Sequence, residues 1–233
     1  MISTGKELNT FITSLNAEAE IDATLLDVLV DNARTILEEE RPWMALRRLN
    51  TSLTLTVGDQ NDASVDMSGI TDFSRFYSDT PVRLHDGDNR IEYYRQVPFD
   101  RRLEYKDASN TFCYDIYNNI LYFNGVVAFA GTVYINYIAT TGGIDLDAET
   151  DVWSQFPARF LPVLGFYAIG IFKGAVDYDS INRDMLPENR ATFKALREAM
   201  IKWDNELQGS DMAHNDPTDY YGNDHRDGAI NRD

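Results

Sequence analysis

Ser52-Leu53-Thr54-Leu55-Thr56-Val57 alternates hydroxyl and aliphatic side chains. A period of two places Leu53, Leu55 and Val57 on one face of a strand and marks where the chain stops reading as helix. Upstream, Thr4-Gly5-Lys6-Glu7 has capping-box spacing, and Leu8, Phe11, Ile12 and Leu15 follow at one-face helical spacing. Beyond the polar break at 16–20, Asp22 can cap a longer helix. Its apolar positions run through Ile21, Leu25, Leu26, Val28, Leu29, Val30, Ala33, Ile36 and Leu37. A stripe that wide predicts a helix covered on two sides. Pro42 disfavours helical geometry at Arg41, so the helix should end near there.

Downstream, Gly58–Ser68 reads as a polar loop. Strand-like pieces recur at Pro81–Leu84, Arg90–Val97, Thr111–Ile116, Ile120–Phe123 and Thr132–Ile138. Asn118-Asn119 predicts a tight hairpin between the third and fourth of these, because asparagine tolerates positive φ. In 131–139, Val133, Ile135, Tyr137 and Ala139 face one way, with Thr132, Tyr134, Asn136 and Ile138 opposite.

The helical period returns after Thr140-Thr141-Gly142-Gly143. A helix from Pro157 to Phe172 is apolar almost all round, with Pro162 suited to a first turn or a kink and Gly165, Ala168 and Gly170 admitting a close neighbour. It reads as the centre of a bundle or as a contact with another subunit. A last helix starts near Pro187, with Phe193, Leu196, Met200, Trp203 and Leu207 on one face. These readings predict an α+β chain. A bundle of about four α-helices carries a central antiparallel β-domain between its second and third helices, followed by an extended C-terminal tail. The corresponding segments are 1–50, 51–143, 144–208 and an acidic 209–233, whose six aspartates and few aliphatics cannot build a core.

The chain has 233 residues, 43% of them hydrophobic, and 38 acidic against 21 basic residues, a formal charge of −17. That charge opposes a surface that grips nucleic acid throughout, although an acidic wall would leave DNA mobile in a channel. No stretch is apolar for the length of a spanning helix, so no membrane partner is expected. The opening Met1–Lys6 carries no basic-then-apolar signal, which with the single Cys113 predicts synthesis into a reducing cytoplasm. Cys113 reads as a buried small hydrophobe.

The three histidines, His85, His214 and His225, lack zinc spacing, and no Gly-rich phosphate loop or Gly-x-Ser-x-Gly is present. Asp145-x-Asp147-x-Glu149-x-Asp151 resembles the start of a calcium loop. It fails at the turn glycine, where Thr150 stands, and at the bidentate glutamate, where Phe156 stands. No metal, cofactor or catalytic group is therefore assigned. Arg83, Arg90, Arg95, Arg101, Arg102 and Lys106 lie among five carboxylates, which predicts a salt-bridged strand surface, with contact to a phosphate backbone or an acidic neighbour as the alternative.

Ala33-Arg34-Thr35-Ile36-Leu37-Glu38-Glu39-Glu40-Arg41-Pro42-Trp43-Met44-Ala45-Leu46 resembles the head-to-tail adaptor (connector, or tail tubular) family of tailed bacteriophages. That family has a long helix ending in an Ala-Arg-x-x-Ile-Glu run and a tryptophan-leucine turn, then an all-β insertion, then two helices. Ser68-Gly69-Ile70-Thr71-Asp72-Phe73 resembles its entry to the β-region, with Thr71 where proline is usual. Val133-Tyr134-Ile135-Asn136-Tyr137 resembles its strand before the third helix.

The resemblance implies a virion neck protein without an active site, in a homo-oligomeric ring of roughly twelve copies. The ring would lie between the capsid portal protein and a downstream tail protein (nozzle, stopper or tail tube), with double-stranded DNA passing through its lumen. It further implies portal docking by the C-terminal segment, with Met212, Tyr220, Tyr221 and Ile230 as anchors. Subunit packing is assigned to Phe160, Leu164, Gly165, Ala168 and Phe172. The alternative is a phage-associated cell-wall hydrolase acting through a carboxylate pair, for which the many acidic residues supply material.

Overall fold

In the computed structural model, the described residues are 2–15, 21–55, 63–78, 80–88, 90–98, 101, 112–124, 127, 129–150, 152–175 and 177–213. The chain divides into two compact units, a helical one of residues 1–36 and 144–233 and a β one of residues 37–143.

In the helical unit, α1 (Gly5–Leu15) opens on the capping box. The Glu7 N–H donates to Thr4 Oγ1 (3.2 Å), and Glu7 Oε2 accepts from the Thr4 and Ser3 N–H groups. The N-terminus of α2 (Ala23–Glu39) is satisfied by Asp22, whose carboxylate accepts from the Thr24 and Leu25 N–H groups. α3 (Leu161–Phe172) follows a short 3-10 turn, Ala158–Phe160, and holds Pro162 in its first turn, where no backbone N–H is missed. α3 is the centre of the unit and packs against α1, α4 (Tyr178–Asp184), α5 (Pro187–Ala213) and the 3-10 turn. Its seven residues Leu161 and Val163–Ala168 are buried, so the side chains on every face of this part of the helix are withdrawn from water. At roughly 1.5–3 kcal/mol per large apolar side chain, they are a main source of the unit's stability.

In the β unit, eight strands form one sheet. They are β1 (Arg47–Leu55), β2 (Ser64–Asp66), β3 (Phe73–Phe76), β4 (Val82–His85), β5 (Ile91–Gln96), β6 (Cys113–Tyr117), β7 (Ile120–Asn124) and β8 (Gly131–Ala139). The order is β1-β8-β4-β5-β6-β7-β2, with β3 also paired to β8. All pairs are antiparallel except β5–β6, where Arg95 and Gln96 lie beside Cys113 and Tyr114 in parallel. The terminal strands β1 and β2 approach each other, so the sheet is nearly closed. Its interior holds Leu55, Val65, Val82, Leu84, Tyr94, Tyr114, Phe123, Val133 and Ile135. Asn118 and Asn119 take φ of 50° and 62° in the β6–β7 hairpin, as the Asn-Asn pair requires.

Three expectations are corrected. A bundle of about four helices with a modest antiparallel insertion is not the architecture: the described residues hold five α-helices and a mixed, almost closed eight-stranded sheet. β2 and β3 are three and four residues long, too short for a period to register. α4 is seven mostly polar residues, started by an Asp177–Ser180 capping box. The second correction concerns α2, whose buried residues Leu26, Leu29, Val30, Ala33 and Leu37 form a single stripe, while Leu25 and Val28 are 43% and 52% exposed. Third, α5 continues to Ala213, so the first five residues of 209–233 are helical.

Candidate functional site

The stretch that resembles the adaptor family forms the end of α2 and the turn into β1. Trp43 is fully buried, its Nε1–H donating to Leu37 O at 2.7 Å, and Leu46 is buried beside it in sequence. Arg41 Cζ lies 5.0 Å from the Trp43 ring centroid. Glu38, also buried, accepts from the Thr141 N–H (3.2 Å) and from its Oγ1–H. The chain thus enters and leaves the β unit side by side, pinned by one carboxylate. Such a closure is what allows a folded insertion inside a helical sequence.

Of the residues assigned to subunit packing, Phe160, Leu164, Gly165 and Ala168 are buried within the helical unit, and Phe172 is 36% exposed. A Cβ at Gly165 would lie 2.8 Å from the Phe11 ring, so this glycine serves α1 against α3. Phe11 also meets Phe166 edge-on at 5.3 Å. Met212 lies in α5, whereas Tyr220, Tyr221 and Ile230 fall outside the described residues.

Among the described residues, the helical unit carries a small and an open concavity. One, lined by Leu15, Phe166, Ile169, Ile181, Met185 and Leu186, has room for about one water molecule, near 20 Å³, and no carboxylate in its wall. The other is an open groove containing Glu7 and Glu149. Glu149 pairs with Lys6 at 3.0 Å. The Ser3 and Thr4 donors hold the Glu7 carboxyl below its usual range. A general acid needs the opposite shift. Among the described residues no group of three His, Cys, Asp or Glu could hold a metal ion, and Asp145, Asp147 and Glu149 are exposed. Cys113 is a buried free thiol whose pKa burial raises.

The β unit carries a feature of which the sequence pattern signals only Arg83 and Arg95. Since Val133, Ile135 and Tyr137 of β8 point into the core, Thr132, Tyr134, Asn136 and Ile138 occupy its other face. The pairing sets Arg47 and Arg75 beside Ile138, Leu49 beside Asn136, Arg83 beside Tyr134 and His85 beside Thr132. β5 extends the face with Ile91, Tyr93 and Arg95.

The Arg47 guanidinium sits 4.1 Å from the Tyr77 ring centroid, the Arg83 guanidinium 5.5 Å from that of Tyr134, and His85 stacks on Tyr134 at 3.9 Å. Arg47 and Arg75 donate to the carbonyls of Pro42 and Arg41. Among the described residues, Arg47, Arg75 and Arg95 have no carboxylate partner. Asp115, on β6 beyond Cys113, is fully buried at the margin. Burial first, and the Arg83 charge second, lower the His85 pKa against a smaller opposing effect of Asp86.

The sequence singled out Arg83, Arg90 and Arg95 as members of a salt-bridged surface. Arg90 pairs with Glu92 at 2.8 Å, whereas Arg95 has no such partner among the described residues and lies on the face with Arg47 and Arg75. Arg101 lies outside any strand, and Arg102 and Lys106 fall outside the described residues. No helix among the described residues is long and apolar enough to cross a membrane. In comparison with known proteins, the chain matches no family model and no curated protein.

Proposed function

We propose that this chain is a structural head-to-tail adaptor of a tailed bacteriophage, a ring subunit that joins the capsid portal to the next tail protein and lets the genome pass. One observation carries the reading: a helical unit assembled from both ends of the chain hosts a β unit between its second and third helices, and the Trp43–Leu46 turn at the junction is the stretch that resembles that family. Leu25 and Val28, exposed one turn apart on α2, are apolar surface suited to a neighbouring protein. The C-terminal segment, with Tyr220, Tyr221 and Ile230, is assigned to the portal. The formal charge of −17 suits a passage in which DNA must not stick.

The test is reconstitution with purified portal rings, read by sedimentation and electron microscopy. The full chain should add a ring of roughly twelve copies below the portal, and a chain lacking 209–233 should lose portal affinity by at least about tenfold. Chains that leave portal rings undecorated would refute the reading. So would peptidoglycan turnover abolished by one carboxylate substitution, which is the behaviour of a hydrolase.

A further inference from the structure

We infer that the arginine–tyrosine face of the β unit is the surface on which a second copy of this chain docks, through the carboxylates that the neighbour exposes at Asp145, Asp147 and Glu149. The inference rests on the ring reading and names its contact. Copies carrying −17 each repel one another at long range. A ring closes through heterologous contacts, in which two different patches meet, so it needs one patch of opposite sign.

The outward positions of β1, β3, β4, β5 and β8 just described supply it. They hold arginines at 47, 75 and 95, with Arg83 buried among them, and no aspartate or glutamate, the one acid of the neighbouring β6, Asp115, being fully buried, in a chain where acids outnumber bases 38 to 21. Two guanidiniums are stacked on tyrosine rings, and Arg47 and Arg75 are held by main-chain carbonyls, so little side-chain freedom is left to lose on docking. Leu49, 48% exposed, adds an apolar contact. Arg95, which is exposed, and the half-buried Arg47 and Arg75 are the guanidiniums that an incoming carboxylate can reach.

The complementary patch is the segment after β8. Ile144 and Leu146 are buried and turn Asp145, Asp147 and Glu149 outward. Glu149 is tied to Lys6, which leaves Asp145 and Asp147 as the stronger anchors.

The experiment is sedimentation velocity on the full chain at low and at high salt, with circular dichroism as the check on folding. The wild type should self-associate, and added salt should weaken it. Arg47→Glu, Arg95→Glu and Asp147→Arg should each weaken association about tenfold or more, and Arg95→Glu combined with Asp147→Arg in one chain should recover part of the loss. Arg95 is exposed, so its variant carries the test if Arg47→Glu fails to fold.

A wild type that stays monomeric, or reversals that leave association unchanged, would overturn the inference. Reversals that abolish oligonucleotide binding while sparing self-association would overturn it too, and would reassign the face to a phosphate backbone. Any of these results leaves the adaptor reading to the portal experiment, where decoration of portal rings is scored independently.

Discussion

At the scale of single residues, environment changes what a side chain does. His85 is an ordinary imidazole in the sequence. In the fold it stacks on Tyr134 with Arg83 close by, and burial together with that charge favours its neutral form. A base whose folded pKa lies below its unfolded value contributes stability that is complete above about pH 6.5 and declines as pH falls through the folded pKa. Thermal melting of the β unit should therefore fall with acidification from about pH 6.5, and His85→Asn should flatten that slope. The carboxylates Glu7 and Asp177, held below their usual range by Ser3 and Ser180 respectively, act in a lower window, as pH falls below about 4. An unchanged slope in the His85 variant would show that another group senses the pH. Tyr137 is shifted upward to about 12 by burial and by its hydrogen bond to Asp72, so it stays a neutral donor throughout this range.

At the scale of elements, α2 and the exit of β8 are joined by Glu38 and Thr141, a hundred residues apart in the chain and in direct contact in the fold. Thr141→Val removes the hydroxyl donor to a buried carboxylate, and should cost about 1–3 kcal/mol in urea denaturation. Thr140→Val, whose hydroxyl only reaches the neighbouring Thr141 carbonyl, should stay within about 0.5 kcal/mol. Equal effects would deny Glu38 its role as the clasp. The sequence shows both ends of this clasp but not that they meet. The same is true of α4, which its capping residues could have disclosed and its polar composition conceals.

For the whole molecule, each unit has its own buried core, so residues 37–143 made alone should give a β-type dichroism spectrum and unfold cooperatively. A fragment that is unfolded would show that the insertion depends on the helices. Local sequence alone determined the longer helices and most of the strands, the capped starts of α1 and α2, the hairpin at Asn118-Asn119 and which side chains share a face of β8. Each of these depends on residues within a few positions of one another. Only the tertiary structure decided the near-closed mixed sheet, the one-sided burial of α2 and the gathering of Arg47, Arg75, Arg83 and Arg95 on one face. Strand partners and their register are set by contacts between distant segments. A sequence records which side chains share a strand face, but the assembled sheet chooses which strands lie side by side.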